Sequence, residues 1–319
     1  MVAKSEDVAR LAGVSRGAVS QILNGRGDRF SASTIERVRE AALELDYQPS
    51  AAGRALAMGS SDYVIALIPD TTFGGNLQDI FGAATEQLAE QGLTLVLRLA
   101  TTTTAALGRL VTGMAPRAVL SLTPFTAEER DLLERRGVRA FDPQLGSEDR
   151  FDHEIGRLQA RHLIERGSTR LAVARLRDAR QDPFGQGREE GVRDECRRAG
   201  LADPEVVHLG VDLDEALAAL DSLTPPEIGI ACYNDDVATC LLSAARVRSF
   251  DVPGQVAIIG MDRTPLSQVT VPRLTTISYD VTAPAANMIA SFLSALGDIP
   301  APEKPVSALQ LELVQGGTT

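Results

Sequence analysis

From Asp62 to the last residues, short apolar runs alternate with amphipathic stretches of helical spacing, and few folds satisfy that alternation. A strand followed by a helix that crosses back pairs with a parallel neighbour, so the pattern predicts βαβ units and parallel sheets. Strands are expected at Val64 to Ile68, Leu93 to Leu97, Ala118 to Ser121, Arg139 to Phe141, Leu171 to Ala174, Glu205 to His208, Gly229 to Ala231 and Ala257 to Gly260, with a last one at Leu309 to Val314. Helices fall between them, for example Asn76 to Glu90 and Ile155 to Arg166. So many units predict two doubly wound lobes rather than one. Ligands of such folds sit outside the carboxyl ends of the strands, between the lobes. Asp70, Thr71, Thr123, Asp152, Asn234 and Asp262 are read as following strands in that position. Asp and Asn after strands also cap the next helix, so both readings stand. Phe73, Phe125 and Phe184 either stack on a ligand ring or fill the core.

The first sixty residues follow a different rule. Ser5 to Asn24 reads as two short helices joined by a tight turn at Gly13, the first starting at Ser5 and burying Val8, Ala9 and Ala12. Val14 packs into the angle, Ser15 caps the second helix, and Ala18, Val19 and Ile22 face inward. Arg16, Gly17, Ser20 and Gln21 are left outside. Such a pair can place one helix end in the DNA major groove, or be a surface hairpin of any helical domain. A capping box at Ser33 to Glu36 announces a third helix with Ile35, Val38, Ala42 and Leu45 on one stripe. Pro49 breaks that helix, and Ser50 could cap one more short one.

Charge supports the first alternative. The net charge of −11 is unfavourable for a nucleic-acid binder until it is divided. Residues 1 to 60 carry eight basic and seven acidic side chains, and the remainder 24 basic and 36 acidic. An acidic body repels a duplex, which leaves the head as its contact surface, with Arg16, Arg26, Arg29 and Arg54 the candidates for phosphates and groove. Arg37 and Arg39 equally fit solvated pairs with Glu36 and Glu40.

Other function classes lose ground. Gly185-Gln186-Gly187 with Gly191 resembles a dinucleotide fingerprint, but it lies far beyond the strand it would have to follow and reads as a loop. His153, His162 and His208 lack zinc-ligand spacing, and there is neither a nucleophile elbow nor a G-x-x-x-x-G-K-[ST] loop. No catalytic set, metal or cofactor is expected. Cys196, Cys232 and Cys240 form no disulfide or zinc pattern, the start lacks an apolar h-region, and no stretch is long enough for a membrane span. A cytoplasmic protein with reduced thiols is expected.

Taken in order, Asp7-Val8-Ala9, Ala12-Gly13-Val14-Ser15, Val19-Ser20, Leu23-Asn24-Gly25, Leu45, Tyr47, Pro49 and Leu56 resemble the lac repressor family of bacterial transcription regulators. The resemblance continues through His162 to Gly167, Arg188 to Gly191, Asn234-Asp235, Val252 to Asp262 and Leu274 to Ile277. It implies an all-α helix-turn-helix DNA-binding head and an α/β two-lobe core like periplasmic binding proteins, with parallel doubly wound sheets. The implied domains are a head at 1–48, a hinge helix and linker at 49–61, and an effector-binding and dimerisation core at 62–319. Within the core, one lobe takes about 62–154 and 279–305, the other about 155–278 and 306–319.

The implied activity is that of a homodimeric repressor on a palindromic operator, controlled by a small molecule, most simply a sugar. The alternative is a solute-binding module that senses without DNA. Implied DNA contacts are Ser5, Ser15, Arg16, Gly17, Ser20, Gln21, Asn24, Arg26, Arg29 and Tyr47. In the hinge they are Ala52, Gly53, Arg54 and Leu56, with Leu56 entering a base step from the minor groove. Implied effector contacts are Asp70, Phe73, Asn76, Thr123, Phe125, Asp152, Phe184, Arg188, Asn234 and Asp262, with the Arg188 fork opposite Asp262. Three departures bear on the ligand: Thr72 to Asn76 replaces an N-P-F-F-like run, His153 stands where Asn is usual, and Arg263 follows Asp262 where a second Asp is common. No leucine heptads follow the last strand, so a dimer rather than a tetramer is expected.

Overall fold

A computed structural model describes residues 3–47, 61–68, 75–99, 103–142, 149–178, 182–223, 227–280, 282–297 and 310–319. The first three helices are α1 (Ser5–Ala12), α2 (Arg16–Leu23) and α3 (Ala32–Glu44). Gly13 turns the chain between α1 and α2 at φ 67°, a left-handed conformation that costs glycine little. Val8, Ala9, Ala12, Val19, Ile22, Val38, Ala41 and Ala42 form the shared core, and Val14, Ile35, Leu45 and Tyr47 pack around it. Two caps differ from the sequence reading. Lys4 precedes α1, its amide bonded to Asp7 Oδ2 at 3.0 Å, so Ser5 is the first helical residue and not the cap. Ser31 caps α3 by accepting from the Thr34 amide at 3.3 Å, two residues before the expected box. Ser and Thr recur along this segment, and helix phase rather than residue type selects the cap.

Each of the eight interior strands appears close to its expected place: β1 (Tyr63–Ile68), β2 (Thr94–Leu99), β3 (Ala118–Ser121), β4 (Arg139–Phe141), β5 (Leu171–Leu176), β6 (Glu205–Leu209), β7 (Ile228–Cys232) and β8 (Val256–Met261). A further strand, β9 (Thr275–Tyr279), has no apolar run to announce it. The final strand, β10 (Leu311–Val314), pairs antiparallel with β9. Thr275 and Thr276 are fully buried inside β9, which is tolerable because both hydroxyls are hydrogen-bonded, to Thr319 Oγ1 at 2.8 Å and to Asp235 Oδ1 at 2.6 Å. One sheet has the order β2-β1-β3-β4, and the other β10-β9-β8-β7-β5-β6. In the second sheet β5 pairs parallel with β6 and β7, β7 with β8, and β8 with β9.

The remaining helices are α4 (Gly75–Glu90), α5 (Thr104–Met114), α6 (Ala127–Arg135), α7 (Asp149–Glu165), α8 (Gly185–Arg198), α9 (Leu213–Ser222), α10 (Asp235–Val247) and α11 (Thr282–Leu296). Side chains alternate across the second sheet, so Ala172, Ala174, Ile230 and Ile258 pack with α9 and α10, while Val173, Ala231 and Ile259 pack with α7 and α8. Helix α7 begins six residues before the expected Ile155. Asp152 therefore lies in its first turns and not at a strand end. Gly185-Gln186-Gly187 opens α8 rather than forming a loop, and it is separated from β5 by several residues, so no strand-to-helix phosphate turn exists there.

The chain divides into two compact units. One comprises Met1–Ile65, Thr102–Val119 and Ala127–Ala140, and the other Ala66–Thr101, Leu120–Thr126 and Phe141–Thr319. Among the described residues no helix is long and apolar enough to cross a membrane.

Candidate functional site

Helix α2 presents the first candidate surface. Ser15 caps it by accepting from the Ala18 amide at 3.2 Å, and its hydroxyl hydrogen stays free to donate. Ser15, Arg16, Gly17, Ser20, Arg26 and Arg29 are exposed, and Ser5, Gln21, Asn24 and Tyr47 half-buried. Few of these groups are committed within the fold. Arg16 meets Glu6 at 3.4 Å with both side chains well exposed, at 71% and 65%. Asn24 Nδ2 donates to Ser20 Oγ at 3.3 Å, and Arg29 donates to Gln21 Oε1 while lying over the Phe30 ring at 5.3 Å. A Cβ on Gly17 would touch nothing closer than Ser15 Oγ at 3.8 Å, so internal packing does not require glycine there. Tyr47 is turned toward the head core and is less available than the α2 residues. The hinge residues Ala52, Gly53, Arg54 and Leu56 lie outside the described residues.

A second cluster is buried and heavily bonded. Arg188, on the first turn of α8, sends Nε to Asp152 Oδ1 at 2.8 Å and Nη1 to the Tyr233 carbonyl. Its guanidinium lies 4.8 Å from the Tyr233 ring centre and 5.8 Å from that of Phe184. Burial disfavours the charge, but Asp152, Tyr233 and Asp262 outweigh it and raise the ionisation above the usual arginine range. The resemblance to the family sets Asp262 opposite the fork. The structure instead makes Asp152 the direct partner, with Asp262 acting through space.

Two glycines bring these residues together. A Cβ on Gly156 of α7 would sit 1.9 Å from the Arg188 carbonyl oxygen, and one on Gly191 of α8 would sit 2.0 Å from that of His153. Only bare backbone permits so close a crossing, and the crossing sets Asp152 of α7 against Arg188 of α8. His153 Nε2 meets Asp194 at 2.9 Å across the same pair of helices.

The other candidates divide. Asn234 is buried and caps α10, accepting from the Val237 amide at 3.0 Å. Asp262 follows β8 with φ 98° and Arg263 with φ 48°, two consecutive left-handed residues without glycine. Thr123 is half-buried after β3, its amide bonded to Ser121 Oγ at 3.2 Å. Phe125 is buried, and its amide donates to Asp142 Oδ2 at 2.6 Å. Phe184 is half-buried against the α9 and α10 side of the core. Asp70 and Phe73 lie outside the described residues, as does the Asn76 side chain.

Sequence reasoning missed three groups. Arg175 Nε bonds Asp182 Oδ2 at 2.6 Å, and Nη1 bonds Glu189 Oε2 at 2.8 Å. Burial raises the pKa of Asp182 despite the counteracting Arg175 and Arg188, and its Oδ1 is buried without a partner among the described residues. Glu189 is lowered, because hydrogen bonds from Arg175 and Arg193 outweigh burial. Gln159 donates to the Cys232 and Gly260 carbonyls at 2.9 and 3.1 Å, tying the ends of β7 and β8 to α7. Asp235 is fully buried beside Asn234. Glu189 falls within the Arg188 to Gly191 match and Asp235 within the Asn234-Asp235 match, and each match pointed to its first residue alone.

Comparison with known proteins agrees with this division. Residues 6–50 match the model for bacterial regulatory proteins of the lacI family, and residues 160–319 that for a periplasmic binding protein-like domain. The chain is 29% identical to the transcriptional repressor PurR of Vibrio campbellii, covering 99% of this chain and 98% of that protein. It is 25% identical to the transcriptional regulator GalR of Escherichia coli over 95% of this chain and 92% of that one. The fold matches the lac repressor dimer bound to operator and the anti-inducer ONPF, with TM-score 0.76 and 19% identity over 100% and 99% of the two chains. It also matches the regulator CelR in complex with cellobiose, with TM-score 0.68 and 24% identity over 99% and 100%. These relatives are regulators and not enzymes. The chain belongs to the lacI family of bacterial regulatory proteins.

Proposed function

We propose that this protein represses transcription by binding a palindromic operator as a homodimer and responds to a small-molecule effector, with a sugar as the favoured class. The observation that carries the reading is the exposed start of α2, where Ser15, Arg16, Gly17, Ser20 and Gln21 stand outward on a closed three-helix core. Such a helix end fits a major-groove half-site, with Arg16, Gly17 and Gln21 near base edges and the serines on phosphates. A two-fold dimer then requires a palindrome.

In this reading residues 1–48 are the head, 49–61 the hinge and linker, and 62–319 the core, and the protein works in the cytoplasm. Leu56 enters the central base step. The effector is held by Arg188, Asp152 and Asp262, with Asn234, Thr123, Phe184, Asp70, Phe73 and Asn76 as further contacts. Phe125 supports the wall from the core. Exposed Leu266, Val269 and Val271 give the dimer an apolar edge. Coupling of about 1 to 3 kcal/mol between the effector and operator sites suffices for control.

The test is a binding titration of the full chain and of a variant lacking residues 1–60 on palindromic and scrambled duplexes. The full chain should prefer one palindrome and the truncated chain should bind neither. Equal affinity for all duplexes, or DNA binding that survives truncation, overturns the assignment. A thermal-shift screen of sugars, nucleosides and small acids tests the effector: a ligand at 100 times its Kd adds about 2.7 kcal/mol to stability.

A further inference from the structure

Asp235 is fully buried at the start of α10, yet it belongs to neither the ligand cluster nor the apolar core. Its Oδ2 accepts from the Thr264 amide at 2.7 Å and from Thr264 Oγ1 at 3.2 Å, and its Oδ1 accepts from Thr276 Oγ1 at 2.6 Å. A Cβ on Gly260 would lie 2.2 Å from Oδ1, so β8 leaves a notch that admits the carboxylate. The Thr276 oxygen that donates to Asp235 also accepts the Arg263 amide at 3.3 Å, and the Asp262 amide bonds the Ile277 carbonyl at 2.9 Å. Asp262 and Arg263, the two left-handed residues, are therefore held from both sides. Non-glycine residues keep such a conformation only where their surroundings over-determine it.

We infer that Asp235 is a positioning residue: by gripping Thr264 and Thr276 it fixes the left-handed Asp262-Arg263 turn and so aims Asp262 at Arg188. The inference rests on the effector-site reading for its purpose, but the geometry it asserts is testable without any effector. It joins β7, β8 and β9 through one carboxylate, and it explains why a charged group lies beside Asn234 at the head of α10. The charged and titratable groups facing it are Asp262 and the Cys232 thiol.

The test is amide NMR of the ¹⁵N-labelled full chain through a pH series, comparing wild type with Asp235→Asn and Thr276→Val. Burial pushes Asp235 up to about 6, so the Thr264, Arg263 and Asp262 amides should all titrate with one midpoint near that pH. Asp235→Asn should abolish the shared titration. Thr276→Val should leave it at Thr264 and remove it from Arg263. If Thr264 alone titrates in wild type, or if Thr276→Val leaves Arg263 coupled, Asp235 is merely a local acceptor and the inference fails. Because Thr276→Val removes one hydroxyl and no charge, the second criterion holds even if Asp235→Asn does not fold. Failure of the effector screen with this NMR pattern intact would count against the ligand reading alone.

Discussion

Arg16 and Arg188 each pair with a carboxylate, but under opposite conditions. The Arg16 pair spans 3.4 Å with both side chains largely in solvent, whereas the Arg188 pair is 2.8 Å long with exposures of only 10% and 13%. An exposed pair is worth about 0 to 1 kcal/mol, so Arg16 can exchange Glu6 for a phosphate or base at little cost. A buried pair is different: its desolvation is already complete, and removing one partner strands the other. The head thus keeps its polar groups loosely engaged until DNA arrives. The core holds its groups in place before any ligand arrives, which lowers the ordering cost of binding.

The contrast is broken most severely at Arg188. Arg188→Ala leaves Asp152 buried and unpaired, and should destabilise the core by about 3 to 5 kcal/mol in urea unfolding while abolishing the effector response. Retention of full stability would show that water reaches Asp152 and that the site is not pre-organised.

Asp235 supplies the next largest effect, with a sign opposite to the usual paired carboxylate. Its folded-state value of about 6 lies above the ordinary 3.8, so the folded state holds the proton more tightly than the unfolded chain. Its contribution is full below about pH 4 and falls as pH rises toward 6. Two units correspond to about 3 kcal/mol. Denaturant melts from pH 4 to 7 should show wild type losing roughly that much relative to Asp235→Asn, and a flat difference curve would contradict the buried ionisation.

At Gly191 the same contrast is tested by packing alone. Gly191→Ala drives a methyl into the His153 carbonyl and should cost about 1 to 3 kcal/mol, while weakening the Arg188 to Asp152 contact. Gly17 should behave in the opposite way. Gly17→Ala has room, and should leave stability unchanged or raise it by up to about 1 kcal/mol, while reducing operator affinity if DNA approaches that backbone. A parallel titration of both variants by melting and by DNA binding separates the two regions: stability should change at Gly191, and affinity at Gly17.

What the sequence determined by itself is whatever repeats within a few residues. Val8, Ala9 and Ala12 against Val19 and Ile22, the turn at Gly13, the cap at Ser15 and the eight apolar strands are all legible from local spacing, because periodicity and capping are local properties. Tertiary structure decided the rest. Strand β9 was hidden because its buried threonines are polar in sequence and find their partners, Asp235 and Thr319 among them, in distant parts of the chain. Asp152 reads in sequence as a strand-end residue, but it serves as the helical partner of Arg188, 36 residues away, through a glycine crossing that no local pattern specifies. Asp182 and Asp235 look like ordinary surface acids until the fold removes water from them. A carboxylate's role is set by which donors replace its hydration, and those donors come from distant parts of the chain.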